Sequence, residues 1–247
     1  MTQNTPEPRG TLDDAPARRA AVRSFVASLD ARLRDRPRPT QLPDLTNDVV
    51  RQLEAGPDTI AKFMSAATDA GCHVRIAALS ELEREITAVA RERGIRAAYV
   101  ALSPPRSTSA TEALRALLQF SEAGLRAANV SVTNDWSDES LFEVDACVTL
   151  ADAGVAETGS IVCTSGPRLP RGVSLLPPTH IALLPASCIV ADLVDYFATI
   201  DDADLPANVN LITGPSKTAD IEGILVTGVH GPGAVEIVIV NPDQESR

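Results

Sequence analysis

Aromatic residues make up only 3% of the 247-residue chain. Its core must therefore be filled by Val, Leu, Ile and Ala, the usual filling of a buried parallel sheet. There are four cysteines, Cys72, Cys147, Cys163 and Cys188, and no two of them share C-x-x-C spacing. That excludes the common zinc, iron-sulfur and dithiol patterns and reads as buried, unpaired thiols in a chain that carries no cluster itself. Of the three histidines, His73 and His180 open strand-like runs and none stands in an H-x-x-x-H pattern, so no zinc site is expected. Basic residues are few: 22 Lys and Arg face 33 Asp and Glu, a formal charge of -11 that repels polyanions and argues against nucleic acid as a partner. No uninterrupted run of 18 apolar residues occurs, and the N-terminus has charges and prolines but no apolar leader core. A soluble, cytoplasmic protein with no membrane partner is the expectation.

Two phosphate-binding fingerprints are missing as well. G-x-x-x-x-G-K-[ST] would need glycine at Leu211 and Ser216, and G-x-G-x-x-G breaks at Glu236 after Gly231 and Gly233. A Walker ATPase and an ordinary nicotinamide fold are disfavoured.

What is present is a helical prelude followed by alternating strands and helices. Residues 1–11 are polar and read as disordered; from Leu12 to Arg36, Val22, Phe25, Val26, Leu29 and Leu33 recur at helical spacing and predict an amphipathic helix. That helix needs a surface to cover its apolar face, either its own sheet or the second copy of a homodimer. The Pro-rich residues 37–45 stop it, and a second helix is predicted over 46–70, interrupted at Gly56-Pro57. Strands follow at 72–79, 97–102, 128–133, 145–150, 160–165, 180–185 and 208–213. Helices are predicted after Ser80, capped by that serine with Glu83, and over 110–123 and 187–200. Such alternation means βαβ units and an open, largely parallel, doubly wound α/β sheet. The last runs, GILVTGV and AVEIVIV, flank His230-Gly231-Pro232-Gly233, whose Pro-Gly chemistry predicts a C-terminal antiparallel hairpin.

Chemistry is possible in four places. In ADAGVAETGS (151–160), directly after a strand, Thr158, Gly159 and Ser160 can present N–H and hydroxyl groups to a small anionic ligand, with Glu157 as acid or base. The same stretch also reads as a plain turn with a solvated Glu157. In GPSKTADIEG (214–223), Gly214, Ser216, Lys217 and Thr218 can meet an anion while Asp220 and Glu222 supply carboxylates. The alternative there is a capped turn whose acids neutralise Lys217 or Arg168. His230 can switch charge near neutral pH or serve only the turn. The stiff loop 166–178 can hold Arg168 and Arg171 toward a carboxylate or phosphate, or merely salt an acidic surface.

Taken in order, DAGVAETGSIV, SGPRLPRGVSLLPPTHIALLPASCIVADLVD and TGPSKTADIEGILVTGVHGPGAVEIVIV resemble the LUD-domain family, whose best known branch is the lactate-utilisation protein C group. The resemblance covers about residues 45–240 and is strongest after 145, in TADIE followed by GVHGP. It divides the chain into a tail and helix, 1–44, and a LUD domain, 45–247. It implies a Rossmann-like fold of the NagB/RpiA/CoA-transferase-like type. It also implies a role in oxidising L-lactate to pyruvate beside partner subunits that carry iron-sulfur clusters, with no cofactor bound by this chain. Carried over by position, the signature residues are Glu157, Thr158, Gly159, Gly214, Ser216, Thr218, Asp220, Glu222 and His230, without a catalytic step assigned to any. The alternative is a stand-alone enzyme acting on a small phosphorylated or CoA-linked anion, which turnover by the isolated chain would reveal. A binding or regulatory module would show affinity without turnover.

Overall fold

The computed structural model describes residues 20, 23–25, 27, 28, 53–101, 111–134, 138–165, 170–200, 206–221 and 224–241. The chain falls into two compact units, residues 1–50 and 51–247. In the first, the described residues Ala20, Arg23–Phe25, Ala27 and Ser28 are helical, as the periodicity predicts, and exposed, Phe25 included. The other residues of the predicted 12–36 helix, residues 1–11, the Pro-rich residues 37–45 and residues 46–52 lie outside the described residues.

The second unit is an α/β fold around a six-stranded, wholly parallel sheet. Its strands are β1 (His73–Ala77), β2 (Ala97–Val100), β3 (Ser131–Thr133), β4 (Ala146–Leu150), β7 (Thr179–Pro185) and β12 (Ala234–Val240), in the order β1-β12-β7-β4-β2-β3. A second, four-stranded sheet contains β5 (Ala153–Val155), β6 (Ser160–Ser165), β8 (Ile189–Val190) and β9 (Asn208–Ile212), ordered β8-β5-β6-β9. A separate ribbon joins β10 (Lys217–Ile221) to β11 (Ile224–Thr227). No helix among the described residues is long and apolar enough to cross a membrane.

Helices cover both faces of the parallel sheet. On one face lie α2 (Leu82–Glu92) and α3 (Thr111–Ala127), whose Leu82, Ile86, Val89, Leu114, Leu117, Leu118 and Leu125 meet Val148, Ile181, Leu183 and Val238 of the strands. On the other, α1 (Thr59–Asp69) sets Phe63 and Ala67 against Ala182, Leu184, Ile237 and Ile239, and β6 adds Ile161 and Cys163. A short α4 (Asp138–Glu143) and a 3-10 turn at Arg171–Ser174 close this face beside Tyr99 and Cys147, where Leu141 and Val173 are buried. Each long helix hands over to a strand in the same way. Cys72, Ile95 and Val130 donate their N–H to the carbonyl five residues back, Ala67, Ala90 and Leu125, across a residue with positive φ: Gly71 (97°), Gly94 (63°) and Asn129 (60°). This is the Schellman termination, and it seats an apolar residue under the helix end.

Four expectations are corrected. First, GILVTGV and AVEIVIV do not form a hairpin: β11 pairs antiparallel with β10, while β12 lies parallel between β1 and β7. A run buried at six successive positions, Val235 to Val240, suits a central strand with both faces covered, not a half-exposed ribbon. Second, SIVCTS and NVNLIT leave the parallel sheet for the second one, where β6 runs antiparallel to β5 and β9. Third, the helix predicted over 187–200 breaks into a 3-10 turn at Ala186–Cys188, the bridge β8 and a short α5 (Leu193–Ala198), because Asp192 caps a fresh start by accepting the Asp195 N–H at 2.8 Å. Fourth, Ser80 is not the cap of α2. It sits inside a 3-10 turn at Leu79–Glu81, and the Glu81 carboxylate accepts the Ala78 N–H.

The α2–α3 crossing depends on Gly124. A Cβ there would lie 2.5 Å from the Glu83 carbonyl oxygen and 2.9 Å from the Ile86 Cβ, and the Thr87 hydroxyl donates to the Gly124 carbonyl at 2.9 Å. Gly124→Ala gains about 1 kcal/mol of helix propensity. Forcing two packed backbones apart costs more, roughly 1–3 kcal/mol. The expected net result in a urea or thermal melt is a less stable protein; a gain in stability would refute the tight crossing.

Candidate functional site

The two polar loops singled out by sequence meet at the end of α1. After β5 the chain turns at Ala156–Gly159. A Cβ on Gly159, whose φ is 67°, would fall 2.1 Å from the Ala67 nitrogen. After β9 the chain turns at Gly214, φ 86°, where a Cβ would fall 2.2 Å from the Ala70 carbonyl oxygen. Both glycines thus let a loop lie directly on the helix backbone. The loops are then joined by hydroxyls: Thr158 Oγ1 to Ser160 Oγ is 2.7 Å, and Ser160 Oγ to Thr213 Oγ1 is 2.6 Å. Lys217 reaches back to the same helix end and donates from Nζ to the Ala70 carbonyl at 3.1 Å, where a cation offsets the negative pole of α1. Burial raises the pKa of the adjacent Cys72, partly opposed by the Gly214 backbone and the Lys217 charge.

The second loop also ties to the His230 segment. Ser216 donates its N–H to the Pro232 carbonyl at 2.9 Å and accepts the Gly228 N–H at 2.8 Å. Gly233 and Ala234 both donate to the Pro178 carbonyl, at 2.9 and 3.2 Å, which fixes this segment at the amino-terminal edge of β7 and β12. Beside it opens a cleft of about 520 Å³, lined among the described residues by Phe142, Leu175, Leu176, Pro178 and the Thr227–Gly231 stretch with Gly233.

Hydrogen bonds therefore tie Thr158, Ser160 and Thr213 together at the end of α1 and link Ser216 to the His230 segment; Gly159 and Ser160 are buried, Gly214 and Ser216 half-buried, and Thr158, Lys217 and His230 exposed. Glu157 and His230 are exposed, and the Glu157 N–H is held by the Ala191 carbonyl at 2.9 Å. Thr218 pairs with Val226, and the ribbon slips register between Thr218 and Ile221, so Asp220 lies within a bulge. Arg168 and Glu222 lie outside the described residues, and Arg171 is placed elsewhere, on the 3-10 turn beside Thr149 and Asn210. Among the described residues no group of three His, Cys, Asp or Glu is close enough to hold a metal.

The LUD-domain sequence profile matches residues 60–240. The chain belongs to the LUD-domain family. A lactate utilization protein C from an Exiguobacterium species is 41% identical over 128 residues, 47% of this chain and 56% of the relative. The lactate utilization protein C of Bacillus subtilis is 34% identical over 145 residues, covering 50% and 59%, and an uncharacterised protein of Neisseria meningitidis is 38% identical over 114 residues, covering 45% and 48%. The chain thus spans about half the length of the curated relatives it matches. A solved structure of a DUF162 family protein from Deinococcus radiodurans superposes with a TM-score of 0.47 at 18% identity, over 74% of this chain and 96% of that one.

This LUD domain also buries polar groups to which sequence reading assigned no role in the site. His180, wholly buried on β7, lies 2.8 Å through Nε2 from the Thr149 hydroxyl on β4, and its Nδ1 has no partner among the described residues. Thr149 in turn hydrogen bonds toward the Cys163 thiol, which burial pushes up to about 12. Burial likewise raises the Cys147 thiol well above its usual range. On the opposite face of the sheet Glu236 of β12 is 1% exposed and receives the Arg93 Nε–H at 2.6 Å, with Arg75 Nε 3.9 Å away. No local signal marks either residue, since their partners are distant in sequence.

Burial lowers the His180 pKa to about 4 from 6.5. The imidazole is neutral in the folded state, so its contribution to stability is complete above pH 6.5 and is lost as pH falls through 4. The unfolding free energy from urea melts is expected to drop across that window, by on the order of 3 kcal/mol. His180→Gln keeps a donor for Thr149 and is expected to flatten the drop; an unchanged acid profile in that variant would show that another group drives it.

The docking of the loops gives a second expectation. Gly214→Ala should cost more than about 2 kcal/mol through positive φ and the clash with Ala70. Ser160→Ala, which removes only a hydroxyl bridge, should cost about 1 kcal/mol. Equal small losses in denaturant melts would show that the loop does not rest on α1.

Proposed function

We propose that this chain serves L-lactate utilisation as a non-redox component of a lactate-oxidising system. It would bind a small anion on the joined-loop surface while cytoplasmic partner proteins carry the iron-sulfur clusters. Oxidation of lactate to pyruvate removes two electrons, and in this reading they pass to those partners. The observation that carries the proposal is the hydroxyl chain Thr158–Ser160–Thr213. It joins the two loops through the buried Ser160 hydroxyl, with Thr158, Thr213 and Glu157 exposed beside it. Hydroxyls and glycine backbone so arranged suit a carboxylate, and Glu157, Asp220 and His230 are the groups available for proton transfer. Support for the pathway comes from the relatives named lactate utilization protein C. Support for the non-redox role comes from the thiols: Cys147 and Cys163 are buried and held protonated, the form least suited to ligating iron.

The test is growth on L-lactate as sole carbon source after clean deletion of the gene. Complementation with the intact chain should restore growth, and Glu157→Gln, Asp220→Asn or His230→Ala should restore it poorly or not at all. Full restoration by all three variants would remove the joined-loop surface from the function. Lactate oxidation by the purified chain alone would replace the accessory reading with that of a stand-alone enzyme.

A further inference from the structure

An edge strand presents unpaired N–H and C=O groups to any strand that approaches it, and folds blunt such edges with short strands, charges or proline. In the six-stranded sheet both edges are blunted. β3 is only three residues long, and β1 carries Arg75, which is ion-paired to Glu85 and Glu92. In the smaller sheet β8 is two residues long. β9 has none of these devices. It runs for five residues, NVNLI, with no charge and no proline, in a chain of which 22% is charged.

The ladder fixes which way its peptides point. On β6 the Thr164 N–H goes to the Asp152 carboxylate and the Val162 carbonyl receives the Asp152 N–H, both on the β5 side. Cys163 and Ser165 therefore turn their peptides toward β9, where they pair with Asn210 and Asn208. Val209 and Leu211 direct their N–H and C=O groups away from the sheet, and no other backbone group among the described residues bonds to them. Their side chains share one face: Val209 packs beside Val162 and Tyr196, while Leu211 is 45% exposed. A second copy of β9 completes this edge about a two-fold axis at Asn210. Antiparallel pairing in that register sets Val209 of each copy opposite Leu211 of the other, so the two exchange both main-chain bonds and Leu211 gains an apolar neighbour. No like charges meet along the strand, which matters for copies that each carry -11.

We propose that the chain forms an isologous homodimer through antiparallel β9–β9 pairing, which joins the smaller sheets of two copies into one. Thr213 follows β9 directly and ends the Thr158–Ser160–Thr213 hydroxyl chain, so the seam reaches the rim of that site. The dimer does not rest on the lactate reading.

The experiment is sedimentation velocity of the full chain over a concentration series, joined to hydrogen exchange across residues 206–213. A mass of two chains is expected, with the Val209 and Leu211 amides protected where the dimer is populated and exchanging freely on dilution. Leu211→Lys, which places a charge in the seam, should weaken association roughly tenfold or more. Val209→Pro removes only an outward N–H, so it should do the same while leaving the β6–β9 ladder intact. Leu211 is already exposed, so Leu211→Lys tests the seam even if Val209→Pro fails to fold. Phe25→Ser, on the N-terminal helix, should leave the mass unchanged. A monomer at every concentration, an undiminished dimer in Leu211→Lys, a dimer lost in Phe25→Ser, or free exchange of both amides within an intact dimer would each overturn the proposal. Because the readouts are mass and exchange in the isolated chain, failure here leaves the growth test of lactate utilisation unaffected.

Discussion

The fold depends on one insertion. In the sheet, β1 touches the remaining strands only through β12, which pairs with β1 over five positions and with β7 over seven. The first strand of the domain is thus held by the last described one, more than 150 residues later in sequence. Removing β12 would leave β1, with α1 on its back, hydrogen bonded to nothing in the sheet. It would also expose two unpaired edges in the middle of the core. Closing so long a loop is entropically expensive before any contact rewards it, so this pairing is expected to form late in folding.

The same insertion explains why a carboxylate can be buried at its centre. Glu236 enters β12 with the strand and is received by Arg93, 143 residues away, at the end of α2. A buried carboxylate left without its partner costs several kcal/mol. A misplaced β12 would therefore be penalised by charge as well as by lost apolar contacts.

Much of this was legible in the sequence and some was not. Alternation of apolar runs with helical spacing gave the parallel α/β sheet, and the dispersed cysteines are indeed unpaired. The final pairing was not legible because Pro232-Gly233 reads locally as a turn, and a turn between two apolar runs favours a hairpin. What decides is tertiary: six buried positions in AVEIVIV need cover on both faces, and only the gap between β1 and β7 supplies it. SIVCTS was likewise a sound strand placed in the wrong sheet, since its apolar pattern does not record its partner. For the candidate site, the glycines and hydroxyls of 157–160 and 214–218 were visible as types, while Thr213 read only as the end of a strand. Their meeting was not, because it is set by where α1 ends: Ala67 and Ala70 offer bare backbone to Gly159 and Gly214.

That meeting also accounts for an unusual location. Open α/β sheets commonly take ligands beyond the carboxyl ends of their strands. Here the space beyond β4 is filled by β6, β9 and the Arg171–Ser174 turn, which leave only about 10 Å³ beside Thr149 and Asn210, room for roughly one water. The larger cleft lies at the opposite edge, where Pro178 and Gly233 lead into β7 and β12. Its position follows from the insertion. The loop carrying His230 is tethered through Gly233 and Ala234 to Pro178, and the loop carrying Ser216 is tethered through Gly214 to α1; Ser216 bonds both ends of the His230 segment and locks the two loops together. The register of one parallel strand therefore sets the distance between the hydroxyl chain and the cleft, and both are fixed by the core.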